Sequence, residues 1–295
     1  MSVAAIILIL LAALAHAGWN LLAKRLAGYD AVAFLWLAGL CSIALYAPLA
    51  LIVAATLRPH IGWSEAGWMA VSAALHLAYF LLLQRGYRFG DLSLVYPLAR
   101  GTGPVLASLA AVLFLGERPG PLGGAGILLV GAGVFVLGLP DRRAASAGTT
   151  SVTSVAAVWF GLATGFFIAG YTLWDKQGVS ALAIPPLIYN WGEQVARAAM
   201  LTPLALRDRR RDALRVLWTT RRPYVLACGA LMPLSYILVL TALQFSDVSA
   251  IAPAREVSVL IGVVLGGRLL AEGGLRRRLL AAAAISGGVV AIAVG

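Results

Sequence analysis

RFGDLSLVYPLAR, residues 88–100, has a weaker copy in QFSDVSAIAPAR, residues 244–255. Asp91 falls on Asp247, Ser93 on Ser249 and Pro97 on Pro253; one residue of slippage then brings Arg100 onto Arg255 and Glu117 onto Glu272. Both copies are set among apolar runs long enough to cross a bilayer, so the chain twice places a permanent positive charge where hydrocarbon is expected. Working outward, AGWNLLAK (17–24) falls on AGYTLWDK (169–176), pairing Trp19 with Tyr171 and Lys24 with Lys176. AYFLLL (78–83) falls on SYILVL (235–240), pairing Tyr79 with Tyr236. The two halves follow one plan.

Composition says what that plan is built from. Of 295 residues, 61% are hydrophobic and 12% charged, and the mean hydropathy is +0.90, outside the range of ordinary soluble domains. A helix needs roughly 20 mainly apolar residues to cross the hydrocarbon core. Ten such runs are predicted, near Ser2–Leu22, Ala31–Ala55, Ala66–Leu83, Leu92–Leu115, Pro121–Leu139, Thr153–Trp174, Pro185–Leu206, Pro223–Leu243, Val248–Leu270 and Arg278–Val294. The alternating segments of a membrane barrel are missing. The expected fold is therefore an all-α integral membrane protein of ten transmembrane helices. Residues 1–139 form one five-helix unit, 140–152 a small and polar linker, and 153–295 the second unit. Five spans per unit force the second copy to enter the membrane inverted, as in many secondary transporters.

The first run lacks a basic start and ends in Trp19, Asn20 and Lys24 rather than in small residues, so it reads as a retained helix and not a cleaved signal. Cys41 and Cys228 fall singly in two spans and read as packing. The net charge of +11 does not point to nucleic acid, because the charges are one-sided. The odd-numbered connections carry Lys24, Arg25, Arg85, Arg88, Arg142, Arg143, Arg268, Arg276, Arg277, Arg278 and the basic run from Arg207 to Arg222; the even-numbered ones carry Arg58, Arg118 and Lys176. That bias puts the odd connections in the cytoplasm and both termini outside, with lipid as a partner. No Walker-type, HExxH or GxSxG motif occurs; no enzyme, metal site or cofactor is expected, and ATP does not drive the chain directly. Glycines of the run 120–138, Gly120, Gly124, Gly131 and Gly138 among them, allow close helix contact, expected within one chain although a dimer would use it too.

These features together resemble the drug/metabolite transporter superfamily in its ten-helix EamA type. The resemblance covers nearly the whole chain and rests on the two five-span copies, on AGWNLLAK, and on FLGERP (114–119) with its weaker echo LLAEGG (269–274). It implies a basket of helices around a central cavity, lined by the first, third and fourth helices of each copy, that moves small organic solutes such as amino acids, sugars, nucleotide-like metabolites or drugs. It also implies a bacterial inner (plasma) membrane. Members often have basic connections after the second span; here the basic run follows the seventh, and the charge bias sets the expected orientation.

Polar residues inside spans mark the candidate site, since a mid-bilayer charge costs at least about 2.5–3.5 kcal/mol and normally faces a wet cavity or a partner. Arg100, Arg197 and Arg255 stand against Glu193 and Glu256, which leaves one guanidinium unmatched and available to a carboxylate or phosphate. Arg100, with no acidic neighbour in sequence, is the first candidate; Arg255 adjoins Glu256. Pro97 and Pro253 are expected to disturb their helices upstream and turn those segments to the cavity. Tyr189, Glu193 and Arg197 recur at intervals of four on one face, adjoined by Asn190 and Gln194, with an intrahelical Glu193–Arg197 pair as the plain reading. Glu193 or Glu256 is otherwise a proton carrier, and His16 or His76 is a weaker candidate for that role. His16, Asn20 and Lys24 share one helical spacing. Trp19, Tyr79, Tyr96, Tyr171, Trp191 and Tyr236 offer flat amphipathic walls to an organic substrate, or simply pack. Asp91, Asp247, Glu117 and Glu272 read as helix caps. The function expected is a secondary transporter, proton-coupled or exchanging, for a small anionic or zwitterionic metabolite. An exporter or flippase of hydrophobic compounds is the alternative, and a membrane sensor or structural protein a third class.

Overall fold

The computed structural model describes residues 1–26, 28–89, 92–138, 155–258, 261 and 275–295. Ten helices run through them: α1 (Val3–Lys24), α2 (Ala31–Leu57), α3 (Trp63–Phe89), α4 (Leu92–Phe114), α5 (Pro121–Gly138), α6 (Val155–Ser180), α7 (Pro186–Ala205), α8 (Asp208–Phe245), α9 (Val248–Ala254) and α10 (Leu275–Val294). Five of them are long and apolar enough to cross a membrane, namely α1, α2, α3, α6 and α8, and shorter apolar helices lie within α4, α5 and α10. Large apolar side chains point outward along them, such as Leu14 on α1, Leu49 on α2 and Leu113 on α4. An outer surface of that kind suits lipid and would be insoluble in water. The chain is a multi-pass membrane protein. The expected linker, 140–152, lies outside the described residues.

Small residues decide which helices meet. A Cβ on Gly126 of α5 would lie 2.6 Å from the Gly288 carbonyl of α10, and one on Gly133 would lie 2.8 Å from Ile285. The α5 glycines thus let two backbones touch inside one chain. Of those singled out by spacing, Gly131 faces Val105 of α4, whereas Gly124 faces open space. Gly161 of α6 opens the way to Leu98 of α4 in the same manner. The contacts include α1 with α8, α3 with α6, α2 with α7, α4 with α9 and α5 with α10, and also α4 with α6 and α2 with α8. Exchanging each helix for the one five places along the chain maps the first five of these pairs onto themselves, whereas α4 with α6 has no comparable counterpart among the described residues.

Two predicted boundaries shift. The eighth helix begins at Asp208 rather than Pro223 and continues through Pro223 and Pro233. Its basic run is therefore the first few turns of a helix about 57 Å long at 1.5 Å per residue. Leu217, fully buried, pins this overhang to Leu26, Ala33 and Ala38 around the α1–α2 connection, and Arg210 pairs with Asp30 at 3.1 Å. The ninth helix is interrupted after Ala254 by a turn at residues 255–256, beyond which 257–258 are helical again, and its predicted end at Leu270 lies outside the described residues. The break thus falls beyond Pro253, not upstream of it, and α4 runs unbroken through Pro97.

Candidate functional site

The bundle encloses a cavity of about 600 Å³. Its lining starts deep, at Ile9 of α1, Asn190 of α7 and Val239 of α8, and runs out to Leu26, Tyr29 and Ala31 at the α1–α2 connection. We call that the mouth end. Among the described residues, the lining includes none from the connections at the opposite end, which we call the sealed end. Walls come from α1, α3, α4, α6, α8 and the turn after α9, matching the first, third and fourth helices of each copy that the resemblance implied, and also from α2 and α7.

Most predicted residues meet here. Arg100, Arg255, Trp19, Asn20, Tyr79, Tyr171, Tyr236, His16, His76, Glu193 and Arg197 all line the cavity. Tyr96 and Lys24 have side chains outside the described residues. Glu256 is buried behind the wall. Trp191 is turned away, its indole N–H donating to the Ile43 carbonyl of α2 at 3.0 Å. Asn20 donates to the His16 carbonyl one turn back at 2.8 Å, and the His16 ring meets Trp19 edge-on, centroids 5.0 Å apart.

The charge pairing reverses the sequence-based ranking of the two arginines. Arg100, 8% exposed, is held by Glu256 at 3.2 Å and donates to Ser258 Oγ at 3.4 Å. The Glu256 carboxylate, in the turn after α9, reaches across to α4 and not back to its neighbour, because adjacent side chains diverge by about 100°. Arg255 consequently has no carboxylate within ion-pair distance among the described residues. Its guanidinium lies over the Tyr236 ring, 5.4 Å from the centroid. Glu193 and Arg197 form the expected i, i+4 pair at 3.0 Å, but the contact is not aligned as a hydrogen bond, so Glu193 Oε1 has no donor. Arg197 donates instead to Gln194. Asn190 Oδ1 is also buried without a donor. The site thus presents one cation and two unfilled acceptors beside aromatic walls, and a molecule with a negative and a positive pole would complete both.

Sequence reasoning missed Asp175. It stands about one and a half turns short of the end of α6, fully buried, and accepts from Tyr189 at 2.7 Å and from Tyr236. Tyr189 was placed correctly on the Glu193 face, but it serves this carboxylate. Around it the sealed end is closed by direct contact. Trp68 of α3 and Trp174 of α6 stack with centroids 3.8 Å apart and exchange N–H donors with each other's carbonyls at 3.1 and 3.0 Å. Lys176 donates to the Leu243 and Ser246 carbonyls at the end of α8. Glu117 accepts from the Val248 and Ser249 N–H groups at 2.8 Å each. It caps α9 across the bundle rather than its own following helix, and Asp247 makes no side-chain cap.

Comparison with known proteins fits this geometry. Residues 3–139 match the EamA-like transporter family. A solved structure titled only "Crystal structure of protein" superposes with a TM-score of 0.79 at 16% identity, covering 99% of this chain and 96% of that one. At that identity the likeness is one of fold. No curated protein matches.

Proposed function

We propose that this membrane protein, whose residues 3–139 match the EamA-like transporter family, is a transporter that carries small organic anions or zwitterions by alternating access. One observation carries the reading: Arg255, with no carboxylate at ion-pair distance among the described residues, faces a cavity that leads to one end of the bundle only. A guanidinium so placed is a receptor for a carboxylate or phosphate, and Asn190 and Glu193 offer acceptors to an ammonium pole. Tyr79, Tyr171 and Tyr236 supply amphipathic walls for the body of the solute.

Alternating access is supported by five helix pairs, α1–α8, α3–α6, α2–α7, α4–α9 and α5–α10, that map onto themselves when the two five-helix copies are exchanged. Copies inserted oppositely reach two states of similar energy by rocking against each other, open at the mouth end in one and at the other end in the second. The basic overhang of α8 lies at the mouth end, so the positive-inside bias orients the mouth toward the cytoplasm of a bacterial inner membrane. Without a nucleotide motif, a solute or ion gradient drives the cycle.

The test is a thermal-stabilisation screen of purified protein against anionic and zwitterionic metabolites, followed by flux of the best stabiliser into proteoliposomes with and without a pH gradient. The reading expects saturable flux that Arg255→Ala reduces at least about thirtyfold, matching the 2–5 kcal/mol typical of losing one partner of a buried charge contact. Unchanged flux in that variant contradicts it.

A further inference from the structure

Asp175 is the one buried carboxylate of the cavity region, among the described residues, that no cation touches. Its oxygens are taken by phenols: Tyr189 on Oδ1 at 2.7 Å and Tyr236 on Oδ2. Titratable groups of the cavity stand nearby: Glu193 Oε1 lies 4.0 Å from His76 Nδ1, and His76 Nδ1 lies 3.0 Å from the Ser72 carbonyl and 3.4 Å from Ser72 Oγ. His76 and Glu193 line the cavity; Asp175 does not.

We propose that Asp175 is a proton-binding site, loaded from the cavity side, and that its protonation opens the sealed end. An ionised carboxylate accepts only; a protonated one also has a hydroxyl that must donate. Taking up a proton therefore ends the donation of one of the two phenols along its present contact, and that phenol must place its own proton elsewhere. Tyr189 is fully buried and wedged over Gly178, so Tyr236 is the donor released. Tyr236 belongs to the cavity wall and carries the Arg255 guanidinium on its ring. Its release loosens α8 from α6 beside the Trp68–Trp174 stack and shifts the solute-binding cation in the same step.

The other charged and titratable groups around Asp175 fit this role. On α6, Lys176 is drawn off to the α8 carbonyls and Tyr171 stacks on His76 with centroids 4.0 Å apart. From α7 come Tyr189, Glu193 and Arg197, the last paired with Glu193. From α4 comes Arg100, paired with Glu256. Arg255 lies beyond the Tyr236 ring. Among the described residues no cation neutralises Asp175 by contact, and a proton would.

The inference rests on the transporter reading, but its test needs no solute. In a Cys41→Ser, Cys228→Ser background, spin labels at Trp63→Cys and Ala181→Cys, both exposed at the sealed end, report the α3–α6 separation in nanodiscs by pulsed electron spin resonance. The parent is expected to gain a longer-distance population as pH falls. Asp175→Asn is expected to hold that population at every pH, and so is Tyr236→Phe, which lacks the bond whose release parts the sealed end. If the parent distances ignore pH, or Asp175→Asn follows the parent's pH profile, the proposal is overturned; where Asp175→Asn does not fold, a parent-like pH transition in Tyr236→Phe overturns it. Failed solute flux with these results intact would sink the transport reading alone.

Discussion

AGWNLLAK (17–24) and AGYTLWDK (169–176) occupy matching places in the two copies and do opposite things. The α1 segment lies at the mouth end, where Trp19, Asn20 and Ala23 border open cavity. The α6 segment lies at the sealed end, where Tyr171 is packed on His76, Trp174 on Trp68, and Asp175 is gripped by two tyrosines. The segments differ at four positions, and two of them, Leu22 opposite Trp174 and Ala23 opposite Asp175, place the closing contacts on α6 alone. Near-equal scaffolds thus hold one end apart and the other shut through a few polar contacts. In the proposed cycle, a small change at those contacts would exchange the two ends.

The largest effect on this contrast is expected from Asp175→Ala, which makes α6 resemble α1. It leaves the Tyr189 and Tyr236 hydroxyls without their acceptor, and at about 1–3 kcal/mol for each orphaned buried group the variant should unfold at clearly lower temperature than Asp175→Asn. Equal melting temperatures for the two variants would show that the hydroxyls do not depend on the carboxylate.

A smaller effect separates two glycines of α6. Gly178 lies under Tyr189 and Trp68, and an added Cβ would come within 2.9 Å of Trp68 Cδ1. Gly178→Ala is expected to cost about 1–3 kcal/mol by overpacking and to loosen the sealed end. Gly170 meets nothing within 4 Å, so Gly170→Ala should be neutral or stabilising by about 0.5–1 kcal/mol through helix propensity. Thermal melts of both variants check the pair, and a tolerated Gly178→Ala would mean the sealed end is looser than its contacts imply.

The smallest effect belongs to the mouth. The Tyr29 hydroxyl accepts from Arg221 at 2.9 Å, and this bond lowers the phenol's pKa from its ordinary value. A lowered folded value adds stability only above the unfolded phenol's range, near pH 10, and loses it as pH falls through the folded value. Arg221→Ala should therefore leave stability at neutral pH unchanged while moving tyrosinate absorbance to higher pH. A drop in neutral-pH melting temperature would assign the mouth a structural role that the contrast denies it.

Much of this was legible in the sequence because apolar run length and repetition are local signals. The ten helices, the doubled arginines and the Glu193–Arg197 pair follow from spacing alone. What escaped depends on direction across helices. Glu256 sits beside Arg255 in sequence, yet its carboxylate crosses to Arg100, so adjacency named the wrong cation as neutralised. Asp175 was overlooked because it follows Trp174, the predicted end of its span, where charge is ordinary; the helix in fact continues to Ser180 and carries the carboxylate into the core. Its mismatch with Ala23 in the repeat was the available clue. The α8 overhang was masked by its basic run, which reads as a connection until Leu217 is seen buried against α1 and α2.

Alternating access requires the sealed end to part, and a tether across it tests this most directly. In the cysteine-free background, Trp68→Cys and Trp174→Cys joined by a short bis-methanethiosulfonate should abolish flux of the selected solute, and reductant should restore it, while solute-induced thermal stabilisation persists throughout. Flux that continues at full rate with the tether in place would contradict the account.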